Sequence, residues 1–185
     1  LNLKQLLRNA GHDVCFYAMS YSQNIVCEEN KYFAEEISFS AKDLQGKIKA
    51  ASRIIWGIGV VQNFKKLLEE FQPDVVHLNN IHSYLSPIVA KLAYQRGVKV
   101  IWTLHDYKLI CPSYSCLCKG NTCEACFTDK KHVVLRKCMK NSFPASILAW
   151  GEAMNWNKNK LSLWTNSFIC PSQFMAEKMQ QGGYP

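Results

Sequence analysis

The sequence predicts an α/β fold, a parallel sheet with helices on both faces. Three observations carry this. Residues 73–80 (PDVVHLNN) and 98–107 (VKVIWTLHDY) each run through β-branched residues and stop on polar ones. A helix-like stretch over 84–96 lies between them. Elsewhere helical and strand patterns alternate, the order that builds a parallel sheet.

Taken in order, Leu3, Leu6 and Leu7 recur at helical spacing, and Gly11 suits the left-handed position past a helix end. Residues 14–18 (VCFYA) read as a strand, and 36–39 as a weak one. From 44 to 71, Ile48, Ala51, Ile55, Ile58, Val61, Phe64, Leu68 and Phe71 keep steps of three and four, the pattern of one long amphipathic helix. Gly57 and Gly59 interrupt it, as a bend or a place of close approach. Then come a strand at 75–78, a helix at 83–95 and a strand at 99–104. The near-continuous apolar run 98–104 predicts a strand buried on both faces. Residues 108–143 form a Cys-rich, basic insertion with little periodicity. Pro144 opens a helix over 145–156, and 157–160 is a polar break. The helix carries Trp150, Met154 and Trp156, with Lys158 and Lys160 beyond; it reads as packed on the sheet, with a membrane-surface element as the alternative. A strand follows at 164–170, and Ser172 caps a helix over 173–180.

Bulk properties narrow the function. A chain of 185 residues makes one domain, or one and a small appendage. No apolar run approaches the ~20 residues of a membrane span, and the charged start is not a signal peptide. Residues 1–80 hold nine Lys/Arg against nine Asp/Glu, whereas 81–185 hold thirteen against five. The excess suits an anionic partner (a phosphorylated substrate, an acidic lipid surface or nucleic acid) and equally a basic face that only solubilises the chain. The sequence contains no G-x-G-x-x-G, P-loop, G-x-S-x-G or H-E-x-x-H motif.

Ligands of parallel sheets bind outside the carboxyl ends of the strands. That rule gathers the chemistry at Asn79, Asn80, His82, His105 and Asp106. Imidazole after a strand can bond a phosphate, a sugar hydroxyl or a developing charge, and amides suit hydroxyl recognition. Asn79 and Asn80 each equally suit turn chemistry. His77, inside its strand, reads as a core histidine with a partner. Six of the nine cysteines fall between Cys111 and Cys138. Cys123 and Cys126 form a C-x2-C, and with Cys111 and Cys138 they could make a closed, structural zinc site. Free thiols and disulfides are the other readings of the same spacing.

Together, His105-Asp-Tyr-Lys-Leu-Ile-Cys-Pro112, Cys123-x2-Cys126, Cys138 to Ser142, Cys170-Pro-Ser172-x-Phe174 and Gly183-Tyr-Pro185 resemble family 4 glycosyltransferases of the GT-B fold. The likeness is to the N-terminal, acceptor-side domain, and it runs in order through residues 1–185. It implies a Rossmann-like domain that forms one half of a cleft, the other half binding the nucleotide sugar. It implies retention of anomeric configuration without a catalytic metal. His105 matches the family's strand-end histidine, expected to contact the donor sugar or its phosphates as the catalytic residue. The expected substrate-binding set is Asn79, Asn80, His82, Asp106, Tyr107 and Ser172. Implied partners are a nucleotide-sugar donor and a glycan or lipid-linked acceptor, with no nucleic acid. The implied location is cytoplasmic, or peripheral at an anionic inner membrane surface. The family's Gly-rich first loop and its donor domain with paired glutamates are not within residues 1–185. The expectation is therefore a domain truncated at both ends and inactive alone. Two alternatives remain. One is a zinc-stapled basic nucleic-acid-binding module, although aromatics are not interleaved with Lys/Arg as a stacking platform needs. The other is a different nucleotide-using enzyme of the same fold.

Overall fold

A computed structural model describes residues 2–38 and 43–185. Helix α1 (Asn2–Asn9) ends before Gly11, at φ 86°. The strand expected at 14–18 does not form. One parallel bridge, Met19 to Ala34, stands in its place. Ala34 N–H donates to Ala18 O and Ser20 N–H to Ala34 O, and the ladder stops there. A strand exists only where a neighbour continues the pairing, and here the pairing does not extend beyond this one bridge. Tyr17 still packs inward, its ring 4.9 Å from that of Phe64 and its hydroxyl donating to Val60 O. Residues 36–38 are not a strand; Phe39, the rest of that expected element, lies outside the described residues.

The long helix expected at 44–71 is two, α2 (Leu44–Trp56) and α3 (Val61–Phe71). Gly57, at φ 68°, caps α2 by donating its N–H to Arg53 O. Both glycines are required by close approach as well as by conformation. A Cβ on Gly57 would lie 2.5 Å from Ile88 Cγ2, and one on Gly59 would lie 2.7 Å from Arg53 Nη2. Within α2 Ile48 is exposed while Ile54 is buried, and Ile58, in the break between the helices, is exposed. Arg53 is buried beside Ile54 and donates to the carbonyls of Ile58, Tyr84 and Glu35. Such satisfaction is what a buried guanidinium requires.

The central sheet holds β1 (Val75–Asn79), β2 (Lys99–Thr103) and β5 (Ser167–Ile169), parallel, in the order β1-β2-β5. His77 faces Ile101 and Asn79 faces Thr103 in the register. Helix α4 (Ile88–Gln95) connects β1 to β2. It starts later than expected because Ser86 sits at φ 64° before Pro87, and a residue preceding proline is disfavoured in the helical region. Leu78, Val100, Trp102 and Leu104 share the core with Val89, Ala90, Leu92 and Ala93 of α4. Alternate positions, His77, Asn79, Ile101 and Thr103, are exposed or half-buried, so β2 is not equally buried on its two faces. The architecture is α/β, a parallel three-stranded sheet flanked by helices.

The Cys-rich insertion contains a short antiparallel hairpin, β3 (Leu117–Cys118) and β4 (Asn121–Thr122), a 3-10 turn and the one-turn helix α5 (His132–Leu135). Helix α6 (Phe143–Asn155) is capped by Ser142, which accepts from Ala145 N–H. It packs chiefly on α2 and α5 rather than on the sheet. Trp156 is buried, whereas Trp150 and Met154 are exposed. The polar break at 157–160 is a helix start, since Asn157 accepts from Lys160 N–H and opens α7 (Lys158–Trp164). That removes Trp164 from the expected strand and leaves β5 short. Helix α8 (Gln173–Gln181) closes the chain.

Candidate active site at the carboxyl ends of the strands

Parallel pairing brings the ends of β1, β2 and β5 to one edge of the sheet. His105, two residues past β2, is exposed there, and its Nε2 lies 3.1 Å from Asn79 Oδ1 at the end of β1. An amide oxygen only accepts, so Nε2 carries the proton and Nδ1 remains as the ring's second polar atom. Below it His77 Nε2 lies 2.7 Å from Thr103 Oγ1. His77 therefore has the partner expected of it but is exposed rather than in the core. Burial first, then the nearby His105, hold its pKa below the ordinary imidazole value. The two pairs make a polar ladder across β1 and β2 on the face away from α4.

The remaining site candidates divide. Asn80 is exposed at φ 47°, a left-handed conformation that asparagine tolerates. Asp106 Oδ1 accepts from Lys108 N–H at 2.8 Å, which shapes the loop after His105. Tyr107 is half-buried, and its carbonyl accepts from the N–H groups of Ile110 and Cys111. Ser172 follows β5 at the same sheet edge and caps α8 by accepting from Met175 N–H at 3.2 Å. His82 is carried elsewhere. Its half-buried ring lies against that of the core residue Trp102, centroids 5.3 Å apart. Burial, aided by Lys108, pushes its pKa down to about 3, so it is neutral near pH 7.

His82, Lys108 and Glu152 line one small cavity with Leu109 and Trp156. Lys108 Nζ lies 2.8 Å from Glu152 Oε2, with both side chains nearly inaccessible, and also donates to Pro112 O at 2.9 Å. This buried pair ties the loop after His105 to α6. Sequence reasoning did not select Lys108 or Glu152. The available signal was Glu152 itself, the one ionisable residue in the otherwise uncharged α6.

The cysteines group differently from the C-x2-C reading. Cys111 is buried, with its thiol hydrogen-bonded to those of Cys116 and Cys126 and its Sγ 3.2 Å from Ser113 Oγ. These bonds hold the Cys111 thiol well below its ordinary pKa, while Cys111 and then burial push its two neighbours up. Cys138 is raised to about 12 by burial and by contact with Cys118, and Cys123 Sγ accepts from Arg136 Nη1 at 3.1 Å. The expected ligands Cys111, Cys123, Cys126 and Cys138 lie within this cluster, and the Cys138 thiol is influenced by Cys123 and Cys111 as well. Among the described residues no group of three or more His, Cys, Asp or Glu side chains is arranged to hold a metal ion.

Comparison with known proteins bears on the chemistry. Residues 1–185 match the family described as Glycosyltransferase Family 4. Over 101 residues the chain is 37% identical to an "Uncharacterized glycosyltransferase" of Methanosarcina acetivorans, a match covering 50% of this chain and 26% of that relative. The matched part thus spans about a quarter of the relative's length. No solved structure matches.

Proposed function

Because this chain belongs to glycosyltransferase family 4, we propose that it supplies the acceptor-facing half of an active site that moves a sugar from a nucleotide sugar to a glycan or lipid-linked acceptor. The observation that supports this most is the pairing of His105 with Asn79 at 3.1 Å, in the open, at the carboxyl ends of adjacent parallel strands. Ligands of such sheets bind at that edge. Asn79 fixes the ring and its tautomer. In the neutral ring Nδ1 accepts from a sugar hydroxyl; in the protonated ring it donates to a phosphate oxygen. In both forms Asn79 Oδ1 keeps its bond to Nε2–H. A hydrogen-bond donor aimed at charge that develops in the transition state is worth ~10²-fold or more in turnover.

Asn80 and Ser172 lie at the same edge and extend the surface a sugar would meet. The group transferred, the acceptor and retention of configuration all form part of this proposal, as does transfer without a catalytic metal. The test is turnover of nucleotide sugars by the full-length protein and by its His105→Ala variant. A loss of ~100-fold in kcat supports His105 at the reacting centre. Turnover within twofold of the parent protein removes it from the mechanism.

A further inference from the structure

Helix α6 is amphipathic the wrong way round. Phe143, Ile147, Trp150 and Met154 recur at steps of four, three and four, so they share one side of the helix. They are 38 to 51% exposed. The opposite side buries Ser146, Ala149 and Glu152. In a globular domain the large apolar side chains normally face inward. Here small residues and the one carboxylate face α2, α5 and Lys108, and a continuous apolar stripe faces out.

The charges on either side of the stripe in the sequence are of one sign. Residues 136–164 contain Arg136, Lys137, Lys140, Lys158 and Lys160 against a single acid, Glu152, which is buried in its pair with Lys108. Among the described residues Lys137, Lys140, Lys158 and Lys160 have no carboxylate within ion-pair distance. Lys137 and Lys140 precede the stripe, and Lys158 and Lys160 follow it.

We propose that the outer face of α6 docks on an anionic lipid bilayer, with Phe143, Ile147, Trp150 and Met154 entering the headgroup boundary and the flanking lysines meeting the acidic headgroups. An apolar helix face with Trp, bounded by basic residues, combines the two signals that interfacial binding uses. Each basic residue held near an anionic surface adds roughly fivefold to partitioning. A second copy of the chain fits less well, since a two-fold contact through this face would bring the same lysines together. The inference concerns binding and stands apart from the glycosyl-transfer proposal.

The test is co-sedimentation of the full-length protein with two sets of vesicles, phosphatidylcholine alone and a 3:1 mixture with phosphatidylglycerol. The expected result is binding to the mixed vesicles at least tenfold tighter than to the neutral ones, weakened by 0.5 M NaCl. Ile147→Glu with Trp150→Glu should lower it a further tenfold or more. Lys137→Glu with Lys140→Glu leaves the stripe intact and should lower it several-fold. Circular dichroism and Tm report whether each variant folds, and the lysine pair decides the matter if the first does not. Equal binding to both vesicle types, or binding unchanged in a folded variant, overturns the proposal. So does absence of binding, whether because another part of the protein covers the face or because light scattering shows a dimer that the Ile147/Trp150 substitutions break.

Discussion

His82 and His105 begin alike and end in opposite environments. His82 comes three residues after β1 and His105 two residues after β2, and the two strands are adjacent and parallel. His105 stands exposed with its ring on Asn79, whereas the ring of His82 is enclosed beside Trp102. The difference lies in the backbone between strand and histidine. After β1, Asn80 and Ser83 take left-handed conformations on either side of buried Ile81 and half-buried His82, and the His82 ring turns in toward Trp102. Proximity to a strand end nominates a residue; the loop's local geometry decides whether it meets solvent or core.

The comparison can be broken or sharpened by experiment. The largest effect is expected on the buried side. Glu152→Ala leaves the Lys108 ammonium buried without its carboxylate, and loss of one partner of a buried pair costs about 3 kcal/mol or more. Urea unfolding should show this, and Lys108→Met with Glu152→Met should recover most of it. Next is pH. His82 titrates at about 3 in the fold and near 6.5 in the unfolded chain, so below pH 6.5 the unfolded state binds more protons. Stability is therefore complete above that value and falls with pH down to about 3. Between pH 7 and pH 4 the loss due to His82 alone is ~3 kcal/mol. His82→Phe should reduce the pH dependence of unfolding over that range by a similar amount, with the acid loss from Glu29, held at about 2 chiefly by Lys4, left unchanged.

The exposed histidine should behave in the reverse manner. His105→Ala is expected to cost ~100-fold in kcat, equivalent to ~2.7 kcal/mol of barrier, with Tm unmoved. Asn79→Ala removes the orienting oxygen but keeps the imidazole, and should cost ~10-fold in kcat, again with Tm unmoved. A Tm drop in either variant together with normal turnover would place His105 in the same structural class as His82.

Much of the frame is legible in the sequence because it rests on local signals. β1 and β2 follow from β-branched runs, α8 from Ser172, and the His105–Asn79 edge from two polar strand ends. What escapes depends on distant partners. Residues 14–18 have strand composition but only one bridge to pair with. Asn157 looks like a loop residue and is an N-cap, which converts part of the expected last strand into α7. The position of His82 is set by the turn at Asn80 and Ser83, whose left-handed conformations neither residue type demands. Cys116 acts on Cys111 beside Cys126, a neighbour that the C-x2-C spacing does not announce. In α6 the apolar residues predict burial, but the helix lies on α2 and α5 and turns its large side chains outward.

The central claim is that Asn79 acts through His105 at the reacting centre, and a double-mutant cycle on kcat/KM for the nucleotide sugar tests it most directly. If the claim holds, Asn79→Ala with His105→Ala is no slower than His105→Ala alone, because an orienting oxygen has nothing left to orient. If the two losses multiply, Asn79 and His105 act independently, and the paired site described for the strand ends is wrong.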